Sequence, residues 1–351
     1  MNEKIWAYLI HLGLNNWMEK DETAGAYEGA ETIKSHFAHG GENCSFRCAS
    51  DKLRCNKKYF RALVDRAHQT GVNMIVIDLA EGVKYETHPE LAVADAWSVA
   101  ELAEEIAYIK SLGMDAVPSM DFSAAHDEWL GEYARMVSTP TYYRVVAELI
   151  KEVCTIFGSP KLFYIGMGDE DSATQSNYGI SIVRHGDLWW HDLNYIVKQV
   201  EANGARAWCN TDRILKDGNY AARMSKEIVQ GHYFRYMTDD LEACRVKMET
   251  DPRYKERYEK LSVFVKLNDA GFEMLPIGTN YNYDDQFRHV IIAAKRYTSD
   301  DKVLGFMMTT YAPTLPSLDV LFDEAMVDID RAMQTYAGAE LSTKRRMLYG
   351  G

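Results

Sequence analysis

The sequence predicts an α/β protein built as a single (β/α)8 TIM barrel over residues 1–340, with a C-terminal tail at 341–351. Apolar runs of strand length recur eight times, and stretches of helical periodicity separate most of them. The first run is not followed by the Gly-x-Gly-x-x-Gly loop of dinucleotide-binding sheets. A closed barrel also leaves no exposed sheet edge, which favours it over an open doubly wound sheet.

Each predicted strand is a short apolar run bounded by turn residues. The runs are 5–13, 73–79, 115–119, 162–166, 206–209, 228–234, 273–278 and 303–309. Helical periodicity predicts helices at 57–69, 99–112, 141–157, 188–203, 221–227, 254–270, 286–297 and 318–336. Gly71, Gly113 and Gly204 follow helices as stop signals, and Ser138-Thr139-Pro140 is a start signal. Strands and helices therefore alternate along the chain, as a barrel requires.

Composition and charge exclude several kinds of partner. The chain has 52 acidic and 39 basic residues, so its net charge of -13 repels phosphate backbones and anionic membrane surfaces. We expect no nucleic-acid partner and no membrane insertion, because no apolar run approaches the ~20 residues that cross a bilayer. The start, MNEKIWAYLIHLG, lacks a basic segment and a cleavage site. We expect a soluble chain that is cytoplasmic, or exported after removal of a preceding signal peptide.

No pattern in the sequence predicts a cofactor or a bound metal. Cys44, Cys48 and Cys55 share one predicted loop, but their spacing is not that of a zinc site. Free thiols are expected there, with a local disulfide or a metal as the alternatives. The stretch NYNYDD at 280–285 alternates oxygen-bearing side chains, but it lacks the glycine and the glutamate of a calcium loop.

Acidic and aromatic side chains dominate the segments that follow the predicted strands. In a barrel the loops after the C-terminal ends of the strands form the active face. Carboxylates and amides hydrogen-bond hydroxyl groups and aromatic rings cover apolar sugar faces, so this composition predicts a carbohydrate ligand. The residues are Asn15, Asn16, Trp17, Asp78, Glu81, Asp121, His126, Trp129, Asp169, Glu170, Asp171, Trp208, Asn210, Asp212, His232, Tyr233, Asn280, Tyr281, Asp284, Thr310 and Tyr311.

The segment FYIGMGDED, residues 163–171, places three consecutive acids directly after a buried strand. Like charges held close together raise the pKa of one carboxyl group, so one acid can keep its proton near neutral pH. Cleavage of a glycosidic bond needs such an acid and a second carboxylate. Asp169, Glu170 and Asp171 are therefore candidates for such a catalytic pair; the alternative is a solvated loop that caps the next helix.

From residue 73 onward the order of motifs resembles the catalytic barrel of glycoside hydrolase family 20, the β-N-acetylhexosaminidases. The segments HPEL and V-P-x-x-D stand in that family's order, and SAAHDEWLG stands where the family has a histidine loop. FYIGMGDED stands where the family has His-x-Gly-Gly-Asp-Glu, and ARAWCNTDRIL is similar to its Trp-bearing fifth strand. The resemblance covers about residues 70–215.

The resemblance implies a role for each matching residue. Glu170 would be the general acid/base, and Asp169 would orient a substrate 2-acetamido group that acts as internal nucleophile in a retaining reaction. Asp121 and His126 would support the acid, and Trp208 would wall the sugar subsite. Met167 adds a residue before the acids, so Glu170 and Asp171 are the alternative pair. The remaining predicted substrate-binding residues are Asp171, Asp78, Tyr281, Trp17, His232 and Tyr311.

Other interpretations of the same residues remain open. A barrel that binds carbohydrate without cleaving it is the main alternative, because the first predicted strand offers no arginine for sugar hydroxyls. A metal-dependent lyase or isomerase would instead use Asp78, Glu81, Asp121 and His126. His126 and Trp208 also have structural interpretations, and His11, inside the first strand, is expected to be structural.

Overall fold

The computed structural model describes residues 4–17, 48–168, 170–172, 174–175, 178–237, 240–280 and 285–339. All eight predicted strands are present and are named β1 to β8 in chain order. They are β1 Ile5–His11, β2 Met74–Asp78, β3 Asp115–Ser119, β4 Leu162–Gly166, β5 Arg206–Asn210, β6 Val229–Gly231, β7 Ile277–Thr279 and β8 Gly305–Thr309. Separate from them, the loop after β2 contains two short paired strands, Val83–Lys84 and Trp97–Ser98.

The strands form one parallel sheet in the order β6-β5-β4-β3-β2-β1-β8-β7. Single parallel bridges, Gln230 to Met274 and Tyr233 to Ile277, connect β6 to β7 and nearly close the barrel. These two strands are shorter than predicted, and Pro276 just before β7 has no amide to donate to a ladder. The prediction of a single (β/α)8 barrel is confirmed.

Helices lie between the strands, and most match their predicted ranges within one residue. They are α1 Lys57–Thr70, α2 Val99–Ser111, α3 Pro140–Phe157, α4 Asp187–Ala202, α5 Tyr220–Arg223, α6 Leu241–Lys247, α7 Arg253–Asp269, α8 Gln286–Tyr297 and α9 Asp319–Tyr336. Short 3-10 helices are Ala80–Gly82, Pro89–Leu91, Glu128–Arg135, Asp212–Leu215, Asp300–Lys302 and Pro316–Leu318. No described helix is long and apolar enough to span a bilayer.

Local capping chemistry explains the helix boundaries. The side chain of Thr139 accepts a hydrogen bond from the Tyr142 amide and begins α3, and Gly71 ends α1 in the left-handed region with φ of 100°. The predicted helix at 221–227 is wrong beyond α5, because the backbone is already extended at Met224. Helix α6 was not predicted; Asp240 caps it by accepting hydrogen bonds from the amides of residues 242 and 243.

Two apolar layers form the core, one inside the barrel and one between the barrel and its helices. Successive strand residues point to opposite faces, so every second residue of each strand packs into the barrel interior. Leu9, for example, packs inside, whereas Tyr8 and Ile10 pack in the outer layer. The interior side chains are Ala7, Leu9, Met74, Val76, Val117, Leu162, Tyr164, Trp208, Val229, Leu275, Ile277 and Met307.

The state of the clustered cysteines stays a prediction. Cys48 and Cys55 are both buried, and Cys44 lies outside the described residues. Burial raises the pKa of the Cys55 thiol, which keeps that group protonated at neutral pH.

Gly305→Ala should lower the free energy of unfolding by about 3 kcal/mol, at the upper end of overpacking effects. A Cβ at Gly305 would lie 2.0 Å from the carbonyl oxygen of Ile5, and that main-chain atom cannot rotate away. Gly218→Ala is the control, because nothing lies within 4 Å of its Cβ. Urea unfolding followed by circular dichroism compares the two variants. Equal stability would contradict the close approach of β1 and β8.

Candidate functional site at the barrel mouth

A cavity of about 290 Å³ opens at the mouth of the barrel where the strands end. Described residues from β1, β2, β3, β4, β5, β7 and β8 and from the loops after the strands line it. Its apolar floor consists of Leu9, Ile277 and Met307, which belong to the barrel interior. The polar and aromatic lining is His11, Asn16, Trp17, Asp78, Ser119, Asp121, His126, Tyr164, Asn210, Asp212, Tyr233, Arg235, Thr309 and Tyr311.

Strand alternation places most of these polar groups. His11 follows Leu9 by two positions in β1, Asp78 follows Val76 in β2, and both pairs share an inward face. The next inward-facing residue, two positions after the last apolar interior residue of each strand, therefore lies at the mouth. His11 was expected to be structural, but this alternation is a signal in the sequence that could have identified it.

The carboxylate of Asp78 binds side chains from three neighbouring segments. His11 Nδ1 lies 2.8 Å from Asp78 Oδ2, and Ser119 Oγ donates to Oδ1 at 2.9 Å. Asn16 Nδ2 donates to Oδ2 at 3.2 Å. All four side chains are buried, so these bonds replace the water that a buried carboxylate would otherwise need. Asp78 thus fixes the orientation of His11 and Asn16.

Asp121 and His126 form a second acid-histidine pair in the same cavity. His126 Nδ1 lies 3.0 Å from Asp121 Oδ2, and the Ser123 amide donates to Oδ1 at 2.9 Å. Burial lowers the pKa of His126, but the charge and hydrogen bond of Asp121 outweigh that effect and leave the pKa raised. The His126 side chain is 41% exposed. It can therefore hold a proton and exchange it with a ligand in the cavity.

Aromatic rings form one wall of the cavity. The Trp17 and Tyr311 centroids are 6.0 Å apart, and those of Tyr233 and Tyr311 are 5.9 Å apart, both in edge-on geometry. The His11 ring lies 6.1 Å from both Trp17 and Tyr311. Such rings can cover the apolar face of a sugar. Tyr311 has a φ of 47°, a strained conformation for a non-glycine residue at a functional surface.

Basic side chains at the cavity are engaged with acids. Lys260 forms an ion pair with Asp212, and Arg235 pairs with Glu256 at 3.2 Å. The three lining carboxylates of the described residues, on Asp78, Asp121 and Asp212, therefore each contact a histidine or a lysine.

Glu170, the predicted catalytic acid, lies outside the residues that line the cavity. Its two carboxylate oxygens share the single N–H of Arg184 Nε, at 3.1 and 3.0 Å, and Arg184 Nη2 donates a further hydrogen bond. The Ala124 amide donates to Glu170 Oε1 at 2.7 Å. Both side chains are buried, at 0% and 1% exposure, and Arg184 also contacts Asp192 at 3.2 Å. The pair anchors the segment after β4 to the segment after β3.

Three other predicted residues also lie away from the cavity lining. Trp208 packs inside the barrel, edge-on to Tyr164 at 5.0 Å. Asp171 pairs with Lys216 at the surface. His232 Nε2 donates to the Lys260 carbonyl, and burial, aided by the charge of Lys260, lowers the pKa of His232 to about 3.

The structure thus brings together five of the eleven predicted site residues and leaves two undescribed. Trp17, Asp78, Asp121, His126 and Tyr311 line the cavity. Asp169 and Tyr281 lie outside the described residues.

The residues considered for a metal site do not form a cluster in the described part of the chain. No group there of three or more histidine, cysteine or acidic side chains could hold a metal ion. Glu81 instead accepts the amides of Leu14 and Asn15 at 2.8 and 3.0 Å, and burial raises the pKa of its carboxyl group.

No protein-family model matches the sequence, and no curated protein is similar to it. The fold is similar to solved β-N-acetylhexosaminidases. An exo-β-N-acetylglucosaminidase from Vibrio harveyi in complex with N-acetylglucosamine aligns with TM-score 0.54 and 12% identity, over 80% of this chain and 52% of that one. A Streptomyces plicatus β-hexosaminidase mutant with N-acetylglucosamine aligns with TM-score 0.55 and 12% identity, over 93% and 62%. A Bacteroides fragilis β-N-acetylhexosaminidase gives 0.53 and 14%, over 92% and 65%.

This chain therefore spans about half to two thirds of the length of those enzymes. At these identities the likeness shows the fold, a barrel of the kind found in glycoside hydrolase family 20, and does not transfer their activity.

Proposed function

We propose that this protein is a glycoside hydrolase that acts on a sugar carrying a 2-acetamido group. The observation that carries the proposal is a mouth cavity that combines the Asp121–His126 pair with the Trp17–Tyr311 wall. The likeness to solved enzymes that bind N-acetylglucosamine supports the choice of sugar. A neutral ring with an apolar face and several hydroxyl groups matches this lining.

Cleavage of a glycosidic bond requires a proton for the leaving oxygen and a stabiliser for the positive charge at the anomeric carbon. His126 has a raised pKa and lines the cavity, so it can supply that proton as the C–O bond breaks. The substrate acetamido oxygen attacks the anomeric carbon and forms a cyclic intermediate. Water then attacks the anomeric carbon and gives one proton to His126, and the bond between that carbon and the acetamido oxygen breaks. Asp169, which follows Gly168 beside the lining residue Asn210, is proposed to orient the acetamido group.

The assignment of Glu170 as the general acid stays a prediction. To act in that role, its carboxylate would have to leave Arg184 and reach the cavity. If Glu170 rather than His126 is the required acid, the same observation favours a second candidate function, a barrel that binds carbohydrate without cleaving it, because Arg184 holds the Glu170 carboxylate outside the cavity lining. Incubation with N-acetylglucosamine oligosaccharides separates the two functions: product release indicates hydrolysis, whereas binding without product indicates the second.

Asp121→Asn should lower kcat for 4-nitrophenyl N-acetyl-β-D-glucosaminide by about 100-fold, within the range of general acid–base effects. The variant should also shift the pH profile, because removal of the Asp121 charge lowers the pKa of His126. Protonated His126 is the active form, so activity is present below its pKa and is lost as pH rises through it. The alkaline limb of kcat/KM should therefore move to lower pH.

Asp115→Asn is the matched control for this prediction. Asp115 is the first residue of β3, at the end of the strand opposite to Asp121, and it pairs with Lys161 at the surface. It should leave both kcat and the pH profile unchanged. An Asp121→Asn variant with wild-type turnover at every pH would remove this residue pair from the mechanism.

Glu170→Gln should lower the free energy of unfolding by about 3 kcal/mol, because loss of one partner leaves part of a buried ion pair uncompensated. Asp171→Asn is the control, since its exposed pair with Lys216 should contribute less than about 1 kcal/mol. Thermal unfolding and turnover are measured on both variants. If Glu170→Gln keeps wild-type stability but loses turnover, the residue is the catalytic acid and the anchoring role is wrong.

A further inference from the structure

The side of the cavity formed by β1 and β8 contains buried polar atoms without partners. His11 Nε2, Asn16 Oδ1 and Thr309 Oγ1 have no hydrogen-bond partner among the described residues. These side chains are 5%, 5% and 1% exposed, and all three line the cavity. Buried polar groups are nearly always hydrogen-bonded, and exceptions mark sites where a partner is supplied from outside the fold. Three such atoms on one wall indicate a ligand contact.

The bonds already made by His11 and Asn16 determine what that ligand must offer. The tautomer with its proton on Nδ1 donates to Asp78 Oδ2, and in that tautomer Nε2 carries a lone pair and acts as an acceptor. Asn16 uses its amide nitrogen for the same carboxylate, which leaves Oδ1 as a second acceptor. Thr309 has a hydroxyl group that can donate or accept. The ligand must therefore bring hydrogen-bond donors to this wall.

The charge of this wall argues against an anionic ligand. Carboxylate and phosphate oxygens only accept hydrogen bonds, so they could not satisfy His11 Nε2 or Asn16 Oδ1. The Asp78 carboxylate, directly behind both side chains, also repels negative charge. Trp17 and Tyr311 flank the His11 ring at 6.1 Å and present apolar surface next to it.

From these contacts we propose that His11 is a specificity-determining residue that accepts a hydrogen bond from a hydroxyl or amide N–H group of an uncharged ligand. Asp78 is the positioning residue that sets its tautomer. The inference rests on the proposed function for the class of ligand, a neutral sugar. It adds that the sugar must donate a hydrogen bond, and it identifies the cavity wall that requires this donor. It applies equally to hydrolysis and to binding without cleavage.

Substitutions at position 11 can distinguish the roles of the two ring nitrogens of His11. Asparagine places an amide near the position of Nδ1, so His11→Asn keeps a donor for Asp78 and removes the Nε2 acceptor. Glutamine reaches the position of Nε2, so His11→Gln restores an acceptor there. Thr309→Val, which keeps the side-chain shape, tests the wall independently of His11. Thr310→Val is the control, because Thr310 bonds Tyr8 and is absent from the cavity lining.

Affinity is measured by isothermal titration with N-acetylglucosamine and with its deoxyfluoro analogues, in which fluorine replaces one hydroxyl group and cannot donate. His11→Asn should weaken N-acetylglucosamine at least 10-fold, His11→Gln should stay within 3-fold of wild type, and Thr309→Val should weaken binding about 3-fold or more. One deoxyfluoro analogue should bind wild type at least 10-fold more weakly than the parent sugar, and this difference should disappear in His11→Asn. Circular dichroism checks that each variant is folded.

Wild-type affinity in a folded His11→Asn variant would overturn the inference and leave the hydrolase proposal intact. If His11→Asn does not fold, unchanged affinity in Thr309→Val overturns the donor-binding wall. Absence of sugar binding by the wild type also overturns it, and turnover of the chromogenic glycoside then decides the hydrolase proposal separately. Loss of affinity in His11→Asn without any turnover by the wild type supports the inference and refutes hydrolysis.

Discussion

The two-residue alternation of the barrel strands is the constraint on which the site depends. One face of each strand must fill the barrel with apolar side chains, and this series of interior residues ends at Leu9, Val76 and Met307. The next residues on the same faces are His11, Asp78 and Thr309, and all three line the cavity. A polar cluster at the mouth is therefore a direct continuation of the apolar core, with rigid strands beneath it.

Charge pairing then decides which acids can face a ligand. A carboxylate that leaves water must gain hydrogen bonds, and Asp78, Asp121 and Glu170 each have their own donors. Asp78 and Asp121 find histidines at the cavity, whereas Glu170 finds Arg184 behind it. FYIGMGDED resembles a catalytic motif only in the order of its residues. The motif does not include Arg184, the partner of Glu170, because Arg184 lies 14 residues further along the chain.

Periodicity predicted most of the fold because each element carries its own signal. The strands at 115–119 and 162–166 and the helix at 286–297 match residue for residue, since turn residues or caps bound each of them. The residues of the site were harder to predict from the sequence than the strands and helices. Trp208 and His232 lie near the ends of the apolar runs 206–209 and 228–234, but Trp208 packs into the barrel and His232 packs toward Phe264 in the helical layer. Outward orientation separates His232 from Asp78, whereas Trp208 faces inward like Asp78 but packs within the apolar interior and does not line the cavity.

The end of β4 shows why Asp121 rather than Glu170 is at the cavity. The pairing of β4 with β5 shifts register between Tyr164 and Gly166, and such a bulge redirects the chain. Gly166 adopts a φ of 63°, and a Cβ there would lie 1.8 Å from Asp121 Oδ1, so the absence of a side chain makes room for that carboxylate. Met167, also at positive φ, is buried in the outer apolar layer.

The chain is therefore redirected directly after β4, before it reaches Glu170. It carries Glu170 to Arg184, behind the wall, and leaves the position next to the β4 backbone to Asp121 and its partner His126. Met167, the residue by which this segment is longer than the motif it resembles, lies in this redirected part of the chain. A short motif can thus keep its sequence while the backbone leading into it assigns the cavity to a different acid.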